Sequence, residues 1–197
     1  MTILTEYQLS SDEQQGFDGN MLGDGCIVYK NKTCKAPRYI HYSKHPSYLS
    51  WLSTNLSYLE NRPIWNKTYK DNRTHKVYEC YWMGTKSGMF FRKQRERWYV
   101  GSKKILPKDL IVDKRLLLHW YLDDGSKATK GGLYFAADDL TFEEVSELKS
   151  KIDVYTNLTV GIHSNQGNPR IYIRKKDVKD FYSIIGDCTV SSFAYKW

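Results

Sequence analysis

No apolar run in this 197-residue chain approaches the roughly 20 residues that a membrane-spanning helix needs, so a helical membrane protein is excluded. Cysteine is sparse. Cys26, Cys34, Cys80 and Cys188 show no paired metal-ligand spacing and follow no signal peptide, and they read as thiols in a reducing compartment. The segment 1–9 lacks the Arg-rich amphipathic character of a transit peptide, so none is expected there. Low-complexity tracts are missing too. None of the five histidines is placed as a general base, which directs attention to carboxylates and lysines.

Positive charge and aromatic rings are abundant. The net charge is +8 and the pI about 9.2, with 16 Tyr and 6 Trp, a balance that points to a polyanionic partner. The charge is also uneven. Residues 30 to 104 carry 17 Lys and Arg against 4 Asp and Glu, so the basic surface belongs to the first half of the chain. A basic face is ordinarily a solvated one, but here Tyr and Trp are interleaved with the charges. That mixture suits phosphates and base edges.

The stretch Phe17-Asp18-Gly19-Asn20-Met21-Leu22-Gly23-Asp24-Gly25 has a degenerate second copy at Leu117 to Gly125, and the two aspartates Asp24 and Asp124 stand 100 residues apart. Half-chain spacing implies one fold built twice, each half bringing one carboxylate. Both copies read as helices. The first opens on a capping box, Ser10 with Glu13 or Ser11 with Gln14, and the second on Asp113. Gly25 and Gly125 are expected to end them in the left-handed region. Glycines at 16, 19 and 23 line one face, where a second backbone can approach, and the apolar run Leu116 to Leu122 predicts a helix buried on most sides. A carboxylate in a last helical turn faces the negative end of the dipole. A divalent cation offsets that, since carboxylates and helix-end carbonyls are hard oxygen ligands suited to Mg²⁺. One Asp-Gly alone is ordinarily a turn; the spaced pair favours the metal.

The remaining pattern repeats as well. After the first motif, strands are expected at 27–30 and 38–43, a helix at 47–58, a hairpin from 62–70 and 76–83, and a helix at 88–99. After the second come a hairpin within 126–137, a helix at 142–154 capped by Thr141 with Glu144, a hairpin around 165–169, and a helix at 175–185. The predicted class is α/β in the α+β sense, with two αββαββα halves at 1–106 and 114–197 and a proline-containing connector at 107–113. In the last hairpin, Val160, Ile162, Ile171 and Ile173 make one apolar face, and His163, Arg170, Tyr172 and Arg174 a polar one.

These residues carry a resemblance. The paired stretches are similar to the signature motifs of LAGLIDADG homing endonucleases, of the monomeric intron-encoded kind with two motifs in one chain. The first copy matches at Gly19, Gly23, Asp24 and Gly25 and the second through Leu117-Leu118-His119-Trp120-Tyr121-Leu122-Asp123-Asp124-Gly125; Leu140 to Val145 and Asn168 to Ile173 extend the likeness over nearly the whole chain. The resemblance implies pseudo-twofold antiparallel sheets forming a saddle for duplex DNA, a long recognition site cut on both strands, and Mg²⁺ or Mn²⁺ at Asp24 and Asp124, with the carbonyls of Gly23 and Asp123 as added ligands. It also implies a lysine beside each acid. Lys104 and Lys196 follow their motifs by 80 and 72 residues, with Lys103 a competitor to Lys104. Arg38, Lys67, Lys76, His163, Arg170, Tyr172 and Arg174 are the candidate DNA contacts. Departures are Asp18 for a small residue, His119 for the glycine of the helix contact, and Asp123 for the small residue before the acid. The expected molecule is an intracellular monomer, associated with a mitochondrial, chloroplast, bacterial or phage genome. A maturase binding its host intron RNA, or a catalytically silent DNA-binding regulator, is the alternative on the same fold.

Overall fold

The computed structural model describes residues 8–31 and 33–197, so most of the segment considered for targeting lies outside the described residues. In chain order the elements are α1 (Ser11–Leu22), β1 (Cys26–Val28), β2 (Arg38–Ser43), α2 (Pro46–Asn55), β3 (Trp65–Lys70), β4 (Val77–Gly84), α3 (Met89–Trp98), β5 (Tyr99–Val100), β6 (Lys103–Lys104), α4 (Lys114–Asp124), β7 (Gly125–Lys127), β8 (Leu133–Ala136), α5 (Phe142–Thr156), β9 (Gly161–Asn165), β10 (Asn168–Ile173) and α6 (Val178–Ile185). Short 3-10 turns occupy Ser57–Leu59, Lys175–Asp177 and Ser191–Lys196. The expected αββαββα order is therefore present twice, with the small β5–β6 hairpin added between the copies.

Two compact units are distinguished by their internal packing. One comprises Gly25–Arg95 with Val190–Ser192; the other comprises Leu9–Asp24, Glu96–Thr189 and Phe193–Trp197. Each holds a four-stranded sheet with every pair antiparallel, in the orders β1-β2-β4-β3 and β7-β8-β10-β9. The same order in both is the structural form of the repeat.

In the first unit, β2 and β4 turn Tyr39, His41 and Met83 inward, where they meet Tyr48, Leu49 and Leu52 of α2; all six are buried. His41 is a polar group with no exposure, and its Nδ1 lies 2.8 Å from the Tyr39 hydroxyl, as a buried imidazole requires. The opposite face keeps Tyr42 and Trp65 exposed.

In the second unit, Phe135, Ile171 and Ile173 form the inner face of the sheet and are at most 1 % exposed. The hairpin β9–β10 turns through Gln166 and Gly167, both at positive φ, which is the backbone a two-residue turn needs. Capping boxes open α1 through Ser10 and Glu13, and α5 through Thr141 and Glu144; Asp113 caps α4.

One expectation fails. Gly125 has φ −72° and ψ 141°, and Gly25 is not among the glycines of positive φ, so neither helix ends in a left-handed glycine. The reason for Gly125 is contact, since an added Cβ would lie 2.0 Å from Tyr121 Cδ2 and 2.4 Å from the Tyr121 carbonyl oxygen. The chain turns straight into β7, and only hydrogen fits at the turn.

Candidate active site

Helices α1 and α4 pack along each other within the second unit. The glycines of α1 allow it. A Cβ on Gly19 would come within 2.4 Å of the Leu116 carbonyl oxygen and 2.8 Å of His119 Cβ, and a Cβ on Gly23 within 2.5 Å of Asp123 Cβ. His119, 1 % exposed, is accommodated because Gly19 opposite it has no side chain. Asn20 completes the fit, its Nδ2 donating to Gly16 O at 2.7 Å and standing 2.9 Å from His119 Nδ1. His119 is thus a packing group.

Asp18 does not loosen the helix either. Its carboxylate, 1 % exposed, accepts from Arg97 Nη1 at 2.5 Å and Nη2 at 2.8 Å, from Trp98 Nε1 at 3.1 Å and from Gln14 Nε2 at 2.8 Å. Burial holds its pKa above the ordinary value, and Arg97 works against that rise. The forked arginine also binds Asp109 through Nε, at 2.8 and 2.9 Å. A buried carboxylate with four such donor atoms, those of Arg97 and Trp98 coming from α3, fixes α1 against the end of that helix.

At their C-terminal ends the two helices deliver acids. Asp24 follows the cap residue Gly23 and is exposed, whereas Asp124 is the last residue of α4 and half-buried. Burial first, then the charges of Asp24 and Asp123, pushes the Asp124 carboxyl up to about 8, against the pull of Lys104 and Lys196. A third acid is present. A carboxylate oxygen of Asp123 lies within 4.8 Å of one of Asp24, because the Asp123 side chain rests on Gly23. Only the Asp123 carbonyl was expected to contribute; the Asp-Asp doublet of the second motif, against Gly-Asp in the first, is the signal for its side chain.

Two lysines reach the same helix ends. Lys104, 9 % exposed on β6, donates from Nζ to Gly23 O at 3.0 Å and pairs with Asp139 at 3.5 Å, while Lys103 points outward. Lys196, 5 % exposed, donates to Leu122 O at 2.6 Å, Asp123 O at 3.1 Å and Tyr121 O at 3.2 Å. Burial holds the Lys196 ammonium below the ordinary lysine pKa, and the nearby carboxylates oppose that shift. Cations at both helix ends offset the dipole by about 0.3–1 kcal/mol each. They also donate directly to the Gly23 and Asp123 carbonyls. The donor set suits a hard divalent cation. Asp24 and Asp124 are carboxylates, and the negative charge crowding Asp124 is what such an ion neutralises.

The candidate DNA contacts divide between the sheets. Arg38 lies on β2 with its guanidinium carbon 5.4 Å from the Trp82 ring centroid; Lys67 is exposed on β3; Lys76 is exposed at the turn before β4. Lys67 also lines a cleft of about 430 Å³ with Tyr42, Cys80 and Trp82. In the other unit His163, Arg170 and Tyr172 share the outward face of β9 and β10. His163 pairs in register with Arg170, and its ring stacks on Tyr172 at 4.4 Å. Arg174 stands past the end of β10 and donates to Asp177 Oδ2 at 2.7 Å. None of the four cysteines forms a disulfide, and no helix among the described residues is long and apolar enough to cross a membrane.

Helices joined at glycines, ending in acids flanked by buried lysines, with a sheet of identical order repeated in each half, define a duplicated α/β protein with a carboxylate centre. The chain belongs to the LAGLIDADG DNA endonuclease family, whose model matches residues 16–181. It is 30 % identical over 152 residues to the cytochrome b mRNA maturase bI2 of Debaryomyces hansenii, covering 74 % of this chain and 57 % of that protein. It therefore spans little more than half of that relative. Its fold matches the homing endonuclease I-WcaI bound to its DNA recognition sequence, with a TM-score of 0.87 at 24 % identity, over 97 % of this chain and 88 % of that one. It also matches I-DmoI in complex with DNA and Mn, with a TM-score of 0.55 at 14 % identity, over 90 % of this chain and 98 % of that one.

Proposed function

We propose that this chain is a monomeric, site-specific endonuclease that hydrolyses both strands of a long duplex DNA site with Mg²⁺ or Mn²⁺. The observation that carries the reading is a buried lysine at the C-terminal end of each glycine-joined motif helix, Lys104 on the carbonyl of Gly23 next to Asp24 and Lys196 on that of Asp123 next to Asp124. Asp24 and Asp124 would hold the metal, with the carbonyls of Gly23 and Asp123 as further donors. Bound there, a divalent ion supplies an activated water and neutralises charge on the phosphoryl oxygens. Lys104 and Lys196 would polarise active-site water or stabilise charge developing on phosphate. Arg38, Lys67 and Lys76 of one sheet and His163, Arg170, Tyr172 and Arg174 of the other contact DNA, so that the halves 1–106 and 114–197, joined by 107–113, each read one half-site. The setting we infer is intracellular, with an intron-bearing organellar, bacterial or phage genome.

The test selects cleaved molecules from a randomised DNA library with Mg²⁺, then repeats the assay with Asp24→Asn and Asp124→Asn. Cleavage should vanish in both variants while binding persists. Unchanged cleavage in either would sink the two-acid mechanism. The maturase likeness favours one second reading, host-intron RNA binding; high-affinity RNA binding with no cut in any DNA library would establish it instead.

A further inference from the structure

Lys196 is held from its backbone as well as from its side chain. Its carbonyl oxygen accepts from the Tyr121 hydroxyl at 2.6 Å and from the Tyr182 hydroxyl at 2.5 Å, and the two hydroxyl oxygens are 3.1 Å apart. A carbonyl oxygen has two lone pairs, and these two donors fill both. The tyrosines come from different helices, Tyr121 from the last turn of α4 and Tyr182 from α6, so the carbonyl is fixed from two directions. Trp197 closes the arrangement. Its ring stacks on Tyr182 with centroids 5.7 Å apart and meets Tyr121 edge-on at 5.1 Å, while its Nε1 donates to Gly186 O at 2.9 Å. Lys104 is held differently, with its main chain paired to Tyr99 in the β5–β6 hairpin and its ammonium on Gly23 O and the exposed Asp139.

We infer that Tyr121 and Tyr182 are positioning residues for Lys196: their hydroxyls clamp its main-chain carbonyl, so that its ammonium is aimed into the C-terminal carbonyls of α4 beside Asp124. The side chain has four rotatable bonds, and a lysine held at one end only would spread over many rotamers. With the carbonyl pinned by two donors, the ammonium meets three carbonyl oxygens and the Phe193 ring, whose centroid is 4.7 Å away. The clamp touches no reacting atom. Its effect passes entirely through where Lys196 stands.

The clamp rests on the proposed nuclease reading only for its catalytic consequence, so the test has two arms. The first does not need cleavage: the full chain is treated with acetic anhydride and Lys196 acetylation is followed by mass spectrometry. In Tyr121→Phe/Tyr182→Phe, which removes only two oxygens, Lys196 should acetylate about tenfold faster than in the parent chain, with Lys104 unchanged. Tyr182→Phe alone, on the shorter helix, should give an intermediate rate and serves if the double variant folds poorly. The second arm measures single-turnover cleavage at saturating DNA. The double variant should lose about tenfold in rate with the same DNA affinity, and should lose nothing further when combined with Lys196→Met. Unaltered acetylation, or a rate loss that multiplies in full with that of Lys196→Met, overturns the clamp. Absence of cleavage by the parent chain would instead count against the nuclease reading and leave the acetylation arm to decide.

Discussion

Asp124 ends α4 with a carboxyl pushed up to about 8, by burial first and by the charges of Asp24 and Asp123 next. A folded-state pKa raised above the unfolded value means that the native protein binds the proton more tightly. The associated stability is complete below the unfolded value of 3.8 and is lost as pH rises toward 8. Metal-free protein should therefore weaken across that window. Asp124→Asn removes the titration, so it should be more stable than the parent chain by about 1–3 kcal/mol at pH 8 and by much less near pH 5. Urea melts of both proteins in chelator at pH 5, 6.5 and 8 give the comparison, and a difference independent of pH would contradict it. A divalent ion reverses the preference by favouring the carboxylate, so Mg²⁺ should stabilise the parent chain most at the alkaline end and have little effect on Asp124→Asn.

At the scale of elements, the α1–α4 contact is set by the absence of side chains on α1. Gly19→Ala puts a methyl 2.4 Å from the backbone oxygen of Leu116, an atom that cannot move aside without shifting α4. The variant should lose about 1–3 kcal/mol in a denaturant melt despite its better helix propensity. Gly167→Ala, with open space around its Cβ but φ at +87°, should lose less, through backbone strain alone. The glycine face was legible in the sequence because its spacing is local, as were both capping boxes and the place of the β9–β10 turn within 165–169, though not its two-residue length. What was not legible depends on partners far along the chain. Asp18 looked like a defect until Arg97, 79 residues away, was seen to satisfy it, and His119 until Asn20, 99 residues away, met its ring. The β5–β6 hairpin has two-residue strands, too short to carry a periodicity, so the element that buries Lys104 and exposes Lys103 gave no signal. Of the candidate site, the acids could be read from their repeated context, and the lysines only through the family resemblance.

On the scale of the whole molecule, the basic surplus of residues 30 to 104 and the net charge of +8 make the proposed binding to DNA a matter of counterion release. Lys67 and Lys76 are exposed in the first sheet unit, where their ammonium groups have no carboxylate within ion-pair distance among the described residues, so meeting phosphate costs them no internal contact. Arg174 differs, since it must leave Asp177 before it can meet DNA. If Lys67 and Lys76 each neutralise one phosphate, Lys67→Ala/Lys76→Ala should reduce the slope of log binding constant against log salt by about 2, whereas Arg174→Ala should change it by less than about 1. Fluorescence anisotropy of the selected target between 50 and 200 mM salt, on protein in chelator so that no strand is cut, measures both slopes within the range where such contacts are sensitive to about that interval of salt. An unchanged slope in the double lysine variant would remove those residues from the phosphate contacts, and would shift the electrostatic footprint of the first unit to Arg38 and the basic residues of α3.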